Sequence, residues 1–438
     1  MSNCGSVLIV KNRLYRLLSR SPWPPVGFWL LAVVPVSILA GSASALFLVL
    51  LDGVTRLRFA HPWVLFFLPL GGTGILWIYR RWGDRAERGT NLILDEIHEP
   101  GGGVPVRMAP MVLLTTLLTH LFGGSAGREG TAVQMGGSLA GGWNEWVGIP
   151  SRHRQTVLMC GVAAGFGSVF GTPLAGAVFA VEVLTRGRLL SEALIPCLLA
   201  GIVGDLTCSA WGIHHTHYSI SPVQVSDLFG VGHLDLLLLG KAALAGGCFG
   251  CVAWLFSFTT HEVQRLLGRF VQNPWLRPAV GGTVLIALTY LVGTRAYLGL
   301  GVLGEHPTDV TLVSCFHSGG AGHWSWLLKL IFTAITLGSG FKGGEVTPLF
   351  FIGAALGSAL SAPLGTPTDW LAGLGMMAVF AGASHTPLAC TIMGLELFGA
   401  EHAVHLAVAC TVACFFNRSQ GIYRAQRGPA PGATSGMT

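Results

Sequence analysis

Two short segments of this sequence place a glutamate among glycines, and both have the pattern G-x-E-x-T. The first is residues 127–131 (GREGT) and the second is residues 343–347 (GGEVT), and each begins a glycine-spaced apolar run. A helix start presents unpaired N–H groups with an effective charge of about +0.5, which favours anion binding. If the two starts face each other, the space between them is an anion-binding site, called here the anion cup.

Glu129 is the residue whose chemistry could control this anion cup. Its ionised carboxylate would compete with a bound anion, whereas its protonated form would leave the cup open. An ionisable residue within a membrane span is costly and is a functional candidate by default. Gly127 and Gly130 leave the neighbouring backbone accessible to a small ion. The alternative is that Glu129 only caps its own helix or pairs with Arg128.

A second motif follows each copy of the first at a nearly constant distance. It consists of residues 172–175 with Glu182 and residues 386–389 with Glu396; both segments are TPLA, and the acid lies nine residues after the proline. The two copies are 216 residues apart for the first motif and 214 for the second. Repeated membrane units of this kind often build a transport site at mid-membrane. Because Glu182 and Glu396 end apolar segments, we expect them to be structural, helix-end charges.

The composition indicates that lipid surrounds most of this chain. Hydrophobic residues make up 51% and charged residues 11%, against roughly 25% charged residues in a soluble domain. Glycine contributes 62 of 438 residues, which suits helices that pack closely in lipid. Several apolar segments are broken, as at Thr172-Pro173 and Thr386-Pro387. Broken helices at membrane depth line cavities or are buried in protein, so we expect a cavity at the repeated motifs.

We expect one all-α, multi-span membrane domain over residues 27–427, made of two pseudo-repeats at about 27–212 and 234–427. Residues 1–26 are expected to form a cytoplasmic amphipathic segment, and residues 428–438 a disordered cytoplasmic tail. Basic residues precede the first span and follow the last, which places both ends in the cytoplasm by the positive-inside rule. An even number of membrane crossings follows.

Three groups of residues could bind a metal by their composition, but we expect another role for each. A lone C-x-x-C in an apolar run indicates packing residues rather than a metal or redox site. The histidine group falls in a polar loop, and the acidic group fits a capped helix end that runs into a loop. No cofactor, metal or nucleic-acid partner is therefore expected. The groups are Cys248 and Cys251; His214, His215 and His217; and Asp95, Glu96, His98 and Glu99.

The segment around Glu129 resembles the gating-glutamate motif of the CLC family of chloride channels and transporters. Residues 163–182 (AAGFGSVFGTPLAGAVFAVE) resemble the family's next segment nearly residue by residue. Residues 89–91 stand where chloride-type members carry Gly-Ser-Gly, residues 343–348 stand at a G-x-F-x-P helix start, and Tyr423 stands at the central tyrosine. The resemblance implies a CLC-type inverted repeat, with broken helices that meet at a mid-membrane anion site, and a homodimer.

Departures from the chloride-type motifs resemble the fluoride-specific branch of the family, whose members are bacterial fluoride/proton antiporters. Thr90 and Asn91 replace the serine signature, residues 345–347 replace the phenylalanine motif, and Val183 stands at the place of a second, internal glutamate. This resemblance implies export of cytoplasmic fluoride in exchange for protons across the bacterial cytoplasmic (inner) membrane. Glu129 would be the gate that carries the proton.

Fluoride is small and strongly hydrated, so its site must replace water with several short hydrogen bonds. Asn91, Thr347 and Tyr423 could donate them together with helix-start amides. Glu345 would repel an anion unless it is protonated for part of the cycle, because burial disfavours a charged carboxylate; capping of its own helix start is the alternative. The expected anion-binding residues are Thr90, Asn91, Gly127, Arg128, Gly130, Thr131, Glu345, Val346, Thr347 and Tyr423.

Two other hypotheses stay open at this point. The same scaffold could carry chloride or nitrate, either as a transporter or as a channel. A membrane-embedded metal enzyme using His98, Glu99 and nearby acids would predict a paired ligand motif such as H-E-x-x-H. The sequence lacks that motif, so an enzyme is not expected.

Overall fold

The computed structural model describes residues 26–221, 230–231 and 234–428, and these residues are almost wholly helical. The α-helices are α1 (Val26–Ala60), α2 (Leu68–Ile78), α3 (Thr90–His98), α4 (Met108–Leu121), α5 (Glu129–Val147), α6 (Ser151–Phe170), α7 (Pro173–Glu182), α8 (Leu194–Ala210), α9 (Leu236–Phe270), α10 (Leu276–Val292), α11 (Ser325–Gly338), α12 (Val346–Leu364), α13 (Thr368–Ser384), α14 (Pro387–Phe398) and α15 (Ala403–Phe416). Short 3-10 or π segments lie at Pro62–Phe67, Tyr79–Gly83, Asp84–Arg88, Ser191–Ala193, Ser314–Phe316 and Ala400–His402. The one strand pair in the described part of the chain is β1 (Gly230–Val231) with β2 (Leu234–Asp235), which are antiparallel. The all-α prediction is confirmed.

Five of the helical stretches are long and apolar enough to cross a membrane. Large apolar side chains lie on their outer surfaces, and Ile195 and Phe270 are 79% and 75% exposed. Such side chains are stable against lipid, and the helical backbone satisfies its own hydrogen bonds there. The five stretches are Gly27–Ala60, Pro62–His98, Ser191–Ala210, Leu236–Phe270 and Val346–Leu364.

Close glycine contacts join two helix pairs in the same way. A Cβ atom on Gly136 of α5 would lie 2.0 Å from the carbonyl oxygen of Gly161 on α6. A Cβ atom on Gly353 of α12 would lie 2.0 Å from the carbonyl oxygen of Gly375 on α13. Both crossings therefore require glycine, and small residues of this kind let helix backbones approach in lipid. Each crossing holds a helix that begins at one of the two G-x-E-x-T motifs.

The breaks predicted at Thr172-Pro173 and Thr386-Pro387 are confirmed, since α7 and α14 begin at these prolines. A proline suits the first position of a helix because its missing N–H needs no partner there. The free N–H groups that follow are bound by carboxylates.

Glu182 and Glu396 supply those carboxylates, each to the other's helix. Glu182 ends α7 and accepts hydrogen bonds from the N–H groups of Leu388 and Ala389, at 3.0 and 2.7 Å. Glu396 lies on α14 and accepts from Leu174 and Ala175, at 2.9 and 2.8 Å. The expected helix-end role is confirmed, although each acid caps the partner helix and not its own. The contact is reciprocal, as an inverted repeat requires.

Two of the residue groups that were considered as metal ligands can be described by their contacts. Glu96 accepts hydrogen bonds from the N–H groups of Gly101 and Gly102 at 2.9 and 3.0 Å, so the acidic group lies at a capped helix end. Cys248 and Cys251 are exposed on α9 and unbonded. Within the described residues, no group of three or more His, Cys, Asp or Glu side chains could hold a metal ion.

The predicted N-terminal segment, apart from residue 26, and the predicted tail, apart from residue 428, lie outside the described residues.

Candidate functional site

The helix starts of α5 and α12 face each other across the centre of the molecule. Gly127 donates its N–H to the carbonyl oxygen of Gly344 at 2.6 Å, and Gly344 donates to Gly127 at 2.8 Å. A Cβ atom on Gly344 would lie 2.8 Å from the nitrogen of Gly130. The two chains can cross this closely only because glycine stands at the contact. The two helix starts therefore meet, as the two motifs predict, and the space between them is the candidate anion cup.

The carboxylate of Glu129 occupies this anion cup. Glu129 is fully buried. Its Oε2 accepts hydrogen bonds from the N–H groups of Arg128 and Thr347, both at 3.1 Å. Its Oε1 accepts from the hydroxyl group of Thr347 and from Nε of Arg128, the latter at 3.3 Å. Three of these four donors, the two backbone N–H groups and the Thr347 hydroxyl, belong to the helix starts and could bind an anion in place of the carboxylate.

The alternative role for Glu129, as the cap of its own helix, does not describe this geometry. Arg128 is the N-cap residue of α5, and its side chain makes no capping bond. The carboxylate instead reaches the first turn of α12 through Thr347. The predicted pairing with Arg128 is present, but it is one contact among several.

Two cavities lie on opposite sides of Glu129. The first cavity has a volume of about 360 Å³, and Arg58, Arg128 and His215 are among its lining residues. The second cavity has a volume of about 320 Å³ and reaches Gly130 and Gly344 from the other side. Glu129 lines neither cavity. In the chain it stands between Arg128, which lines the first cavity, and Gly130, which lines the second.

Polar groups predicted for the anion site line the second cavity. Asn91 uses its Oδ1 to accept the N–H of Ala425 at 3.0 Å, and its amide NH₂ stays available as a donor. Thr90 accepts a hydrogen bond from Nε2 of Gln134 at 3.3 Å. Tyr423 is nearly buried, and its ring meets the ring of Phe179 at 6.3 Å between centroids. Tyr423 is one of the residues that line the cavity.

Glu345 also lines the second cavity and is the N-cap residue of α12. Its side chain makes no capping hydrogen bond, so the predicted alternative of a plain helix cap does not describe it. Lys342 and Arg424 line the same cavity. The second cavity thus presents a half-buried acid, Glu345, together with two bases.

Most of the predicted residues meet at the anion cup or at one of its cavities, and two do not. Thr131 directs its hydroxyl group to the hydroxyl of Thr116 on α4, at 2.8 Å, and lines neither cavity. Val346 is buried in the first turn of α12 and also lines neither. Residues that touch the carboxylate or the cavities are Thr90, Asn91, Gly127, Arg128, Gly130, Glu345, Thr347 and Tyr423.

Sequence inspection missed several polar residues of the cavities. Gln134 lies four residues after Gly130 on α5 and so on the same helix face, which could have identified it. Arg424 directly follows Tyr423 and donates to Gln264 at 2.8 Å. Arg58 has no comparable signal, because it is one of two bases near the end of a long apolar helix and nothing in the sequence tells them apart.

Comparison with known proteins agrees with this arrangement. Residues 71–418 match the family described as "Voltage gated chloride channel". The chain is 45% identical over 411 residues to a "Chloride/fluoride channel protein" of Pseudomonas syringae pv. tomato, an alignment that covers 92% of this chain and 87% of the relative.

Two solved structures have the same fold. One is the crystal structure of a CLC-type fluoride/proton antiporter, with a TM-score of 0.86 and 33% identity over 94% of this chain and 100% of that one. The other is a slow cyanobacterial Cl⁻/H⁺ antiporter, with a TM-score of 0.73 and 20% identity over 89% and 94%. Given the family match over most of the chain and the occupied anion cup between two helix starts, this protein belongs to the CLC family.

Proposed function

We propose that this protein is a CLC-type fluoride/proton antiporter in which Glu129 is the gate and carries the proton. The observation that carries the proposal is the buried Glu129 carboxylate, which accepts hydrogen bonds from both helix starts and stands between residues that line two cavities. The similar protein named for chloride and fluoride and the similar antiporter structure support it. The family consists of transporters and channels, so the enzyme hypothesis is set aside.

Exchange follows from competition for the same hydrogen-bond donors. An ionised Glu129 holds the N–H groups of Arg128 and Thr347 together with the Thr347 hydroxyl. Protonation removes the negative charge, and hydrogen bonds to a charged acceptor are about twice as strong as neutral ones. The neutral side chain then leaves the anion cup, and its donors become available to fluoride. When the carboxylate returns it displaces the anion and releases its proton, so the two ions move in opposite directions.

Selectivity for fluoride rests on the donors near the anion cup. Thr347 adds a hydroxyl group to the α12 helix start, where it already reaches a carboxylate oxygen. Asn91 and Tyr423 add an amide and a phenol at the second cavity. Fluoride needs many short hydrogen bonds to replace its water, and a set of small donors supplies them. Glu345 would take part as a protonated group, because an ionised one would repel the anion from this cavity.

Both ends of the described chain lie on the face of the second cavity. Arg128 lines the first cavity and Gln134, further along α5, lines the second, so α5 runs towards the second-cavity face. His153 lies in the first turn of the next helix on that face, and its ring lies 5.1 Å from the ring of Phe28 near the start of the described chain. Tyr423 lines the second cavity near the other end. We assign this face to the cytoplasm of a bacterial cell, with the inner membrane as the location, because of the basic residues at both ends.

We also propose that the protein is a homodimer. Ile195 and Leu206 on α8 and Phe415 on α15 are 79%, 63% and 60% exposed, so these helices keep large apolar faces. A second copy of the chain could bury them, with a separate pathway in each subunit.

The experiment that tests the function is ion efflux from liposomes that contain the purified protein, measured with fluoride-selective and chloride-selective electrodes under matched gradients. We expect fluoride efflux to be much faster than chloride efflux, and proton uptake to follow the fluoride. Chloride efflux as fast as fluoride efflux would favour a chloride transporter or channel on the same scaffold. Fluoride efflux without proton movement would contradict antiport.

A further inference from the structure

Two basic side chains are buried beside the first cavity without a carboxylate partner. Arg58, near the end of α1, is only 8% exposed and Lys329 on α11 is fully buried. Arg58 donates from Nη1 to the carbonyl oxygen of His120 at 3.3 Å. Lys329 donates to the carbonyl oxygens of Tyr297 and Gly299 at 3.2 and 2.8 Å. Within the described residues, neither base lies within 4.0 Å of an acidic oxygen.

The two bases converge on one short stretch of backbone. A Cβ atom on Gly299 would lie 2.3 Å from Nη1 of Arg58, and a Cβ atom on Gly301 would lie 3.2 Å from Nζ of Lys329. Both glycines have positive φ, 59° and 81°, a conformation that favours glycine. The stretch therefore has a basic side chain on each of its two sides. Leu300 stands between the glycines and lines the first cavity together with Arg58.

The nearby acids are engaged by other bases: Glu305, whose charge acts on Arg58, pairs with Arg295 at 3.4 Å. Arg128 lines the same cavity, and its Nε is engaged with Glu129. Asp52, the acid of this cavity, is bound to Arg56 at 2.7 Å. His120 is fully buried, and neither ring nitrogen has a hydrogen-bond partner within the described residues. A buried charge is normally paired, because its desolvation is otherwise expensive.

We propose that the floor of the first cavity is a binding site for a small inorganic anion, distinct from the anion cup. The guanidinium group of Arg58 is the direct ligand, and Lys329 holds the backbone beside it through its hydrogen bonds to the carbonyl oxygens of Tyr297 and Gly299. If the chain is a fluoride/proton antiporter, the resident ion is fluoride that has left the anion cup; the existence of the site does not depend on which anion is carried.

In the proposed exchange, this site would keep a displaced anion from returning to the anion cup. A carboxylate that returns to the anion cup displaces the anion towards the first cavity, and the two negative charges repel each other at short range. A positive cavity floor stabilises the displaced anion on the far side of Glu129. Return of the anion into the cup is thereby disfavoured without any movement of the helices.

Anomalous diffraction from crystals soaked in sodium bromide tests the site directly, since bromide is a detectable anion that fits a cavity of this size. We expect a bromide peak in contact with the Arg58 guanidinium in the wild type. Arg58→Gln should remove the peak. Arg265→Gln is the control, because it removes the same charge from an exposed side chain that does not line the first cavity. Crystals of this variant should keep the bromide peak.

A second pair of variants tests the site with Arg58 retained. Leu300→Glu places a carboxylate beside both bases and should abolish the bromide peak, whereas the neutral Leu300→Gln should keep it. This pair of variants still tests the site if the Arg58→Gln variant does not fold. A wild type without the peak, or a peak that persists in Arg58→Gln or Leu300→Glu, would overturn the proposal; persistence would indicate an adventitious ion only. The diffraction experiment measures binding and not transport. A failure of fluoride/proton exchange would therefore leave the expected bromide peaks unchanged.

Discussion

At the scale of single residues, Glu129 and a fluoride ion would compete for the same few hydrogen-bond donors. Thr347 is the strongest of them in the structure, because it gives the carboxylate both a backbone N–H and a hydroxyl group. Arg128 gives its N–H and Nε from the other helix start. Removing the acid and removing one donor should therefore have different effects, the first on coupling and the second on selectivity.

Glu129→Gln is expected to abolish proton-coupled fluoride movement. Glutamine keeps the shape of the protonated side chain but cannot carry a proton. The measurement is proton uptake driven by a fluoride gradient in liposomes, with Glu401→Gln as control; Glu401 is an exposed acid that lines neither cavity. The control should keep the wild-type rate. Uphill proton movement by Glu129→Gln at the wild-type rate would contradict the gate assignment.

Thr347→Val is expected to lower the ratio of fluoride to chloride efflux by about tenfold. A hydrogen bond to a charged group contributes about 1.5–3 kcal/mol, and valine removes the hydroxyl while it keeps the backbone N–H and the branched shape. Thr347→Ser keeps the hydroxyl and should retain most of the selectivity. The same electrodes measure both variants. An unchanged ratio in Thr347→Val would show that this hydroxyl does not select the ion.

At the scale of helices, the two G-x-E-x-T helices depend on close crossings with their neighbours. The crossing of α12 with α13 at Gly353 and Gly375 positions the helix start that carries Thr347. The crossing of α5 with α6 positions the start that carries Glu129. Any separation of the backbones at these crossings would widen the anion cup.

Gly353→Ala is expected to destabilise the protein. Its Cβ atom would lie 2.0 Å from the carbonyl oxygen of Gly375, and overpacking of a tight core typically costs about 1–3 kcal/mol. Thermal unfolding in detergent should show a lower midpoint. Gly74→Ala on α2 is the control, because no neighbouring atom lies within 4 Å of its Cβ position, and its midpoint should be equal or higher. Equal midpoints for Gly353→Ala and the wild type would mean that α12 and α13 can separate freely.

The sequence allowed the helix starts to be predicted, since glycine, proline and an acid are local signals. It did not reveal which carboxylate binds which helix start: Glu182 binds the start of α14, more than 200 residues away along the chain. Thr131 was assigned to the anion site by its place in the motif. Two residues after Glu129, however, a helix has turned by about 200°, so its hydroxyl faces Thr116 on α4. The convergence of Arg58 and Lys329 is likewise a tertiary property, because 271 residues separate them in the chain.

At the scale of the whole molecule, the anion cup and both cavities are built by one chain. A homodimer would then contain two independent pathways. A mixed dimer of one wild-type subunit and one Glu129→Gln subunit should therefore keep about half of the coupled flux of the wild-type dimer. Tagged subunits purified in sequence provide the mixed species, and the flux assay is the same as for the single variants. Complete loss of coupled transport would indicate a shared pathway at the subunit interface.

Fluoride export by this chain would matter most to a cell in acid. Hydrofluoric acid is weak, so its neutral form crosses membranes and dissociates in the cytoplasm, where fluoride is trapped. A proton that enters in exchange for fluoride drives the anion out against its gradient. The second cavity, with Glu345 and Tyr423, would receive fluoride from the cytoplasm, and the first cavity, with Arg58, would release it.

Deletion of the gene is therefore expected to make a bacterial host sensitive to external fluoride, most strongly in acidic medium, where more of the neutral acid forms. Growth of deleted and parental strains should be compared across fluoride concentrations at neutral and acidic pH, in a background without another fluoride exporter. Expression of the wild-type chain should restore growth, whereas the Glu129→Gln variant, made at the same level, should not, because it cannot use the proton gradient. Equal growth of the deleted and parental strains in acidic fluoride medium would count against fluoride export as the role of this protein in the cell.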